Sequence, residues 1–477
     1  MSIVSQPNTI RILSGYNQWW QLRSVQKMFI KPTHRTAYKE VLRLLSDERI
    51  RVVFLAGPHR TGKTAMIHQV IQNLIDTGTD PKQILYLNFS HPFFNFLPME
   101  SFYSVYRDNI CPNLDARTYC FCDDTQLAPD WEKNVRALAA QYPELTIVVG
   151  SAIRPGSIQN NETFLHIPPI SYYEHCQIAT GTESIGIDPN LMQNGVMGAS
   201  TQDLREISKH VSLFRPQFMR YLYTGGFLNL IGETDDIRIQ RMIQKSVVCD
   251  TLLRDLNVCF NVRTGIELEK IFLYLCFKCP DVISYEALMR DVDCSTRPTI
   301  EKYVNYLTEA CLIYQCFPQE SNGEHFQKVQ PKIYLADSAI HNSMLMLNDV
   351  RISEESMNNI VETVVHRHLR FYGPDNEEGH ITYNRAKSSG KNIDMILDGR
   401  KRIFIDVRYD DDIRLSRKDT IITKCNDADL CLLITKNDRM IGYSPDLPKN
   451  IFCLPASVFL FLIGQAKSTG LSFLDNL

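Results

Sequence analysis

The sequence predicts an α/β protein with a parallel sheet at its core. The prediction rests on four short apolar runs with the length and composition of buried strands, at residues 51–56, 84–89, 118–122 and 146–150. Helical patterns separate several of them, notably at residues 64–76 and 131–141. Strands that alternate with helices favour a parallel sheet covered by helices on both faces.

Composition and charge narrow the class of protein. The 477 residues exceed one ordinary domain, and 44% hydrophobic with 22% charged residues is typical of a folded chain. A formal net charge of -3 does not by itself indicate a nucleic-acid or membrane partner. The 14 Cys are scattered, many within apolar runs, which favours a reducing compartment. No secretory signal is visible, and the apolar run at residues 458–463 is too short to cross a bilayer. We therefore expect a cytoplasmic protein without a membrane partner.

Changes in pattern along the chain predict five regions. A leader with a helical pattern occupies residues 1–48, the strand-rich core residues 49–170, and mostly helical sequence residues 171–260. Residues 261–345 contain segments at 284–289, 295–310 and 312–315 that resemble helix, turn, helix and a wing strand. Residues 346–477 contain a helix and then apolar runs at 393–397, 403–407 and 430–435, which predict a second, smaller mixed domain.

A glycine-rich segment follows the first predicted strand and precedes a predicted helix. Its residues are Gly57, Pro58, His59, Arg60, Thr61, Gly62, Lys63 and Thr64, and they match the pattern G-x-x-x-x-G-K-[ST]. The glycines let backbone N–H groups face phosphates, and the helix start adds a positive dipole end. We expect a P-loop that binds ATP, with Lys63 on the β and γ phosphates and Thr64 on Mg²⁺. The alternative is a glycine-rich turn that contains Lys and Thr by chance.

Polar side chains follow two further predicted strands. Asp123 and Asp124 end the run 118–122, and Ser151 ends the run 146–150. An Asp at the first place is what a Walker B strand needs to hold Mg²⁺. We therefore expect Asp123 to help bind the metal, Asp124 to position the attacking water and Ser151 to act as a sensor on the γ-phosphate side. The alternative is that the two aspartates start a polar surface loop.

Acidic residues near the C-terminus have the spacing of the PD-(D/E)xK nuclease core. Glu362 lies on a predicted helix, and Asp394 and Asp406 lie on predicted strands. Clustered carboxylates of this kind bind a hard cation such as Mg²⁺. Arg408 stands where the pattern has Lys, and arginine does not give up its proton. The sequence therefore predicts a nuclease-like fold, either active or retained only for binding DNA or a partner.

Several of these motifs together resemble the bacterial and archaeal AAA-type ATPases that carry a C-terminal nuclease-like domain. The likeness comprises residues 17–20, the loop 57–64, residues 84–87, 123–126 with 129–131, 150–151 and 170–174. The Asp-x-x-Gln segment leading to Pro-Asp-Trp is the more discriminating part. The family usually has Asp-Glu at Asp123-Asp124 and often Arg at His59, and the first departure bears on the hydrolysis rate.

The resemblance implies a P-loop NTPase core, a helical lid over residues 171–260, a winged-helix-like segment over 261–345 and a small α/β nuclease-like domain. Arg297, Lys302 and Asn305 would then lie on a helix able to enter a DNA groove. The implied function is an Mg²⁺-dependent ATPase that controls a DNA-binding or partner-binding tail, in a possible homo-oligomer. A nucleotide-gated switch with little hydrolysis and an ATP-regulated DNA-cleaving enzyme are the alternatives.

Overall fold

The computed structural model divides the chain into two compact units. It describes residues 5–111, 113, 116–182, 185–188, 191, 195–262, 265–293, 296–319, 330–345, 354–373, 381–384, 392–399, 401–411, 413, 415–445, 447–448 and 450–470. Unit 1 consists of Met1–Pro168, Ser246–Gly265 and Glu309–Cys311, and unit 2 of Pro169–Lys245, Ile266–Thr308 and Leu312–Leu477. The five regions drawn from the sequence remain predictions.

Unit 1 is a sheet flanked by helices. Its helices are α1 (Gln6–Tyr16), α2 (Trp19–Leu22), α3 (Ala37–Ser46), α4 (Lys63–Asp76), α5 (Met99–Asn109) and α6 (Trp131–Gln141). Its strands are β1 (Val52–Ala56), β2 (Ile84–Asn88), β3 (Thr118–Asp123), β4 (Leu145–Ser151) and β5 (Glu162–His166). The structure thus confirms the four strands expected from apolar runs. It adds β5, whose mostly half-buried residues give no apolar run.

The strands of unit 1 run parallel in the order β2-β3-β4-β1-β5. Strand β4 lies between β1 and β3, so Ala56 pairs with Ser151 and Cys122 pairs with Val149. The carboxyl ends of β1, β3 and β4 therefore meet at one edge of the sheet, where open α/β sheets bind their ligands. The confirmed fold class is α/β with a parallel sheet core.

The leader is part of unit 1 and covers an edge of its sheet. The side-chain amide of Asn17 donates to the carbonyl of Tyr86 at 3.0 Å, and its oxygen accepts from the Tyr86 N–H at 2.6 Å. The indole N–H groups of Trp19 and Trp20 both donate to the carbonyl of Ile84, at 3.2 and 2.8 Å. These bonds satisfy backbone groups of edge strand β2, which an uncovered edge would leave unpaired.

The remaining helices, of which α12 belongs to unit 1, follow in chain order. They are α7 (Tyr172–Thr180), α8 (Gly195–Gly198), α9 (Thr201–Ser212), α10 (Arg215–Thr224), α11 (Asp236–Ile243), α12 (Leu256–Phe260), α13 (Gly265–Lys278), α14 (Tyr285–Val292), α15 (Arg297–Glu309), α16 (Ser338–Met344), α17 (Glu354–Tyr372), α18 (Thr420–Thr423) and α19 (Ala456–Thr469). Residues Gln244–Asp255 form a π-helix that leads into α12. Within the described residues, no helix is both long enough and apolar enough to span a membrane.

Unit 2 contains a mixed sheet. Its strands are β6 (Ile313–Pro318), β7 (Lys332–Leu335), β8 (Ile381–Tyr383), β9 (Met395–Asp398), β10 (Arg402–Arg408), β11 (Leu430–Thr435), β12 (Gly442–Tyr443) and β13 (Ile451–Pro455). Their order is β12-β13-β11-β10-β9-β8-β6-β7. Strand β9 runs antiparallel to β8 and β10, while β10, β11 and β13 run parallel. Strands are present at all three of the predicted apolar runs, and β6–β7 extend the same sheet.

Candidate functional site

The loop after β1 has a backbone that only glycine tolerates at one point. A Cβ atom on Gly57 would lie 2.0 Å from the carbonyl oxygen of Ile167, a contact that real Cβ atoms do not make. Arg60 and Gly62 have φ angles of 67° and 94°, in the left-handed region. These conformations curl the chain between β1 and the first residue of α4, Lys63. Gly57 and Gly62 therefore stand where the backbone of the loop requires glycine, as the motif predicts.

The ammonium of Lys63 folds back over this loop. It donates to the carbonyl oxygens of Gly57 at 2.8 Å and Pro58 at 2.9 Å, and the residue is buried. Burial lowers the pKa of Lys63, while the nearby carboxylates of Asp124 and Asp123 act in the opposite direction. A buried cation held by neutral carbonyl oxygens is suited to receive an anion.

Asp123 stands at the carboxyl end of β3 beside the start of α4. It is buried, it accepts a hydrogen bond from the Tyr86 hydroxyl at 3.0 Å, and it also hydrogen-bonds with Thr64. Burial and then the charge of Asp124 raise its pKa to about 6, against the lowering effect of those hydrogen bonds and of Lys63. The structure thus brings together Lys63, Thr64 and Asp123, as the sequence predicts.

Gly150, on the neighbouring strand β4, leaves room for the Asp123 carboxylate. A Cβ atom at this position would lie 2.7 Å from Oδ1 of Asp123 and 3.0 Å from Cδ1 of Ile67. Ser151 follows and is buried, and its Oγ accepts from the Ile153 N–H at 3.0 Å. The structure therefore places Ser151 at the same sheet edge as Asp123, while its role as a sensor stays a prediction.

Asp124 is held by a glutamine that the sequence motifs do not mark as a site residue. Asp124 adopts a left-handed φ of 51°, and its Oδ1 accepts from Nε2 of Gln126 at 3.4 Å. The other end of the Gln126 amide, Oε1, accepts from the Ala152 N–H at 3.1 Å. Gln126 is fully buried, so its amide links the ends of β3 and β4 and restricts the Asp124 carboxylate.

A later segment of unit 1, residues 246–265, also contacts this loop, and no sequence motif predicts the contact. The ring Nε2 of His59 lies 2.5 Å from Oδ2 of Asp255, and the guanidinium of Arg60 donates to the Ser246 hydroxyl at 3.2 Å. The buried Asp255 also pairs with Arg254, Nε to Oδ1 at 2.9 Å. No local motif marks Asp255, because its partner lies 196 positions earlier in the chain.

A third residue that the sequence motifs do not mark, Arg35, lies in the leader and contacts the loop. Its guanidinium is buried and donates to the carbonyl of Thr61 and, at 2.9 Å, to the carbonyl of Pro168. It thus joins the loop to the chain that follows β5. A buried arginine in a polar stretch leaves no signal in periodicity, so only the structure shows this contact.

The acidic residues of unit 2 do converge, but with cations of the chain between them. The Lys332 ammonium lies 2.5 Å from Oε1 of Glu362 and 3.4 Å from Oδ1 of Asp394. Nε of Arg408 lies 2.9 Å from Oδ2 of Asp406. Among the residues that the structure describes, no group of three or more His, Cys, Asp or Glu is arranged to hold a metal ion. The side chains present therefore do not fit the metal that the nuclease-like pattern implies.

The predicted groove-entering helix is α15, preceded by α14 and followed by β6. Arg297 pairs with Glu301 at 2.8 Å and Glu286 at 3.5 Å. The Lys302 ammonium lies 5.5 Å from the centre of the Tyr306 ring, and Asn305 accepts from Gln315 at 3.3 Å. The helix, turn, helix and strand order agrees with the sequence, while DNA contact by these side chains stays a prediction.

Two family models match separate parts of the chain. Residues 49–175 match a family model described as an AAA domain. This region is similar to AAA-type P-loop ATPase domains. Residues 215–351 match a model described as a domain of unknown function, DUF8612, which includes α14 and α15.

Relatives and solved structures are distant. An uncharacterized protein of Haemophilus influenzae is 19% identical over 313 residues, which cover 63% of this chain and 70% of that protein. A Walker-type ATPase of Pyrococcus abyssi has 12% identity and a TM-score of 0.33 over 65% of this chain and 94% of its own. DnaA from Aquifex aeolicus has 13% identity and a TM-score of 0.24 over 59% and 89%. Because TM-scores this low do not bear on the site, its assignment rests on its own geometry and on the family match.

Proposed function

We propose that unit 1 binds ATP with Mg²⁺ and hydrolyses it. The observation that carries the proposal is the meeting of Lys63 and Thr64, at the start of α4, with Asp123 at the end of β3. An ammonium, a hydroxyl and a carboxylate at a helix N-terminus are the groups that a magnesium–triphosphate complex requires. The AAA-domain match over residues 49–175 supports the same assignment.

Binding would begin with an exchange of partners at Lys63. Its ammonium now donates to the carbonyls of Gly57 and Pro58, which are neutral acceptors. Phosphate oxygens form stronger, charge-assisted hydrogen bonds with an ammonium, so the triphosphate would draw Lys63 away from these carbonyls. Backbone N–H groups from Gly57 to Thr64 would face the phosphates. Thr64 and Asp123 would hold Mg²⁺, which supplies positive charge against the phosphate oxygens.

Hydrolysis would depend on Asp124. Its carboxylate can accept a hydrogen bond from the attacking water, and Gln126 holds it in place through the amide that also binds Ala152. Ser151, at the end of β4, would contact the γ-phosphate side. Asp is shorter than the Glu of the family pattern, so the water must approach closer to the backbone, and we expect a slow turnover.

The rest of the chain would respond to the nucleotide. We propose that the helical and C-terminal regions bind DNA or a protein partner in a nucleotide-dependent way, in the cytoplasm, with self-association as one form of partner. The short acid at Asp124 specifically favours a second candidate, a nucleotide-gated switch that hydrolyses little ATP. DNA cleavage by the tail, the third candidate, is disfavoured by the cations among its acidic residues.

Single-turnover hydrolysis of radiolabelled ATP tests the proposal. We expect Asp124→Asn to retain ATP binding and to lower the hydrolysis rate by about 10²–10⁴-fold, the typical contribution of a positioned acid–base group. Asp130→Asn is the matched control, because Asp130 is an exposed aspartate with a similar φ of 49°. Wild-type protein that binds ATP but turns none over would establish the switch instead. Absence of ATP binding would refute both.

A further inference from the structure

The acidic cluster of unit 2 holds a cation supplied by the chain itself. We propose that Lys332 takes the place of a metal ion among Glu362 and Asp394, so that these carboxylates form a structural ion-pair cluster and not a nuclease centre. The proposal concerns unit 2 alone and does not depend on ATP binding by unit 1.

The position of the Lys332 side chain is the first argument. Lys332 begins β7, and its ammonium lies 2.5 Å from Oε1 of Glu362 on α17 and 3.4 Å from Oδ1 of Asp394 just before β9. A divalent cation shared by the two carboxylates would need oxygen atoms at about 2.0–2.6 Å, in the space where this nitrogen stands. The ammonium and the metal therefore exclude each other.

Other donors of the protein also bond to the two acids. Oε1 of Glu362 accepts from the Tyr334 hydroxyl at 2.8 Å, and Oδ2 of Asp394 accepts from the Val407 N–H at 2.9 Å. These donors come from β7 and β10, so the two carboxylates are fixed by the sheet as well as by Lys332. A metal would have to remove oxygens from protein donors that are already in good geometry.

The third acid has a cation of its own. Oδ2 of Asp406 lies 2.9 Å from Nε of Arg408, and the same guanidinium reaches Oδ2 of Asp419 at 3.3 Å. Arginine stays charged and cannot leave its partner by losing a proton. The residue that replaces lysine in the nuclease pattern thus partners Oδ2 of the acid two positions before it and places a fixed positive charge beside this carboxylate.

Burial gives the ion pairs a structural role. The side chains of Glu362 and Asp394 are 5% and 4% exposed, and that of Lys332 is 10% exposed. Charges at this depth need partners, because breaking one buried pair leaves an uncompensated charge. Lys332 therefore joins β7 to α17 and to the chain entering β9. In a metal-dependent domain, the metal ion would make these connections instead.

Binding of Mn²⁺, measured by its electron paramagnetic resonance signal and by thermal unfolding, tests the proposal on the full chain. Without nucleotide, we expect wild-type protein and Glu362→Gln to give the same Mn²⁺ signal, because no Mn²⁺ site depends on Glu362. We also expect Mn²⁺ to leave the unfolding temperature of the wild-type protein unchanged. Lys332→Met should lower the unfolding temperature, and Mn²⁺ should restore part of the loss. In Lys332→Met with Glu362→Gln, Mn²⁺ should restore nothing. Lys401→Met, at an exposed lysine of the same unit, is the control.

Two results would overturn the proposal. One is a Mn²⁺ site in wild-type protein that Glu362→Gln or Asp394→Asn removes. The other is cleavage of supercoiled DNA by wild-type protein with Mg²⁺ that Asp406→Asn abolishes. The wild-type measurements decide the matter even where Lys332→Met does not fold, because the proposal then stands on the absence of a carboxylate-dependent Mn²⁺ site in the native chain.

Discussion

The imidazole of His59 lies 2.5 Å from the carboxylate of Asp255, which joins the loop 57–64 to the π-helix 244–255. The same carboxylate accepts from Gln126 at 3.4 Å, and Gln126 in turn contacts Asp124. One buried acid thus contacts both the loop and the residue that orients the proposed catalytic aspartate. We therefore expect a conformational change of the loop to alter the position of the π-helix through these contacts.

A double-mutant cycle measures this link. We expect His59→Gln and Asp255→Asn to destabilise unit 1 less together than the sum of their separate effects, with a coupling energy of about 0.5–3 kcal/mol, as contacting residues show. Urea unfolding of the two single variants and the double variant gives the value. The exposed pair Arg43 and Glu40 is the control, since exposed pairs couple by at most about 1 kcal/mol. Strict additivity at His59 and Asp255 would disprove the link.

Gly57 provides a steric test of the loop. Gly57→Ala would place a methyl group 2.0 Å from the Ile167 carbonyl, so the backbone must move, and we expect a loss of about 1–3 kcal/mol with weakened ATP binding. Gly15→Ala is the control, because nothing lies within 4 Å of the position that its methyl group would take, and Ala favours the helix by about 0.5–1 kcal/mol. Unfolding by urea and ATP titration report the two effects. Equal behaviour of the variants would mean that the loop has another conformation.

The buried ring of His175 predicts a pH dependence of stability. Burial lowers its pKa to about 4, below the ordinary 6.5, and Arg220 adds to the lowering. The unfolded chain therefore takes up a proton that the folded chain refuses, so stability is full above pH 6.5 and falls as the pH drops toward 4. Relative to His175→Phe, wild-type protein should lose about 3 kcal/mol over this interval, at about 1.4 kcal/mol per pKa unit. Parallel pH profiles of the free energy of unfolding would contradict this.

The sequence predicts unit 1 well because its signals are local. Fully buried parallel strands such as β1 and β4 appear as continuous apolar runs, and the loop 57–64 carries its steric requirement in its glycines. Strand β5 has no such run, since its edge position leaves most of its residues half-buried. In unit 2, the short β8 and β12 pair through backbone bonds that no apolar pattern of three or two residues can reveal.

The candidate site residues also differ in whether a local sequence signal marks them. Lys63, Thr64 and Asp123 follow from motif and strand order, and the structure brings them together. Arg35, Asp255 and Lys332 act through partners 26 to 196 positions away, so their contacts exist only after folding. The three acids of unit 2 and Arg408 could be found from their spacing, but the contacts of Lys332 with Glu362 and Asp394 could not.

The central claim is that Lys63 binds the triphosphate, and calorimetric titration with Mg²⁺–ATP tests it most directly. Replacing the ammonium removes charge-assisted hydrogen bonds worth about 1.5–3 kcal/mol, so Lys63→Ala should weaken ATP binding about 10–100-fold. Lys39→Ala, at an exposed lysine on α3, should leave the affinity as it is in the wild type. An ATP affinity that is the same in Lys63→Ala and in wild-type protein would contradict the account.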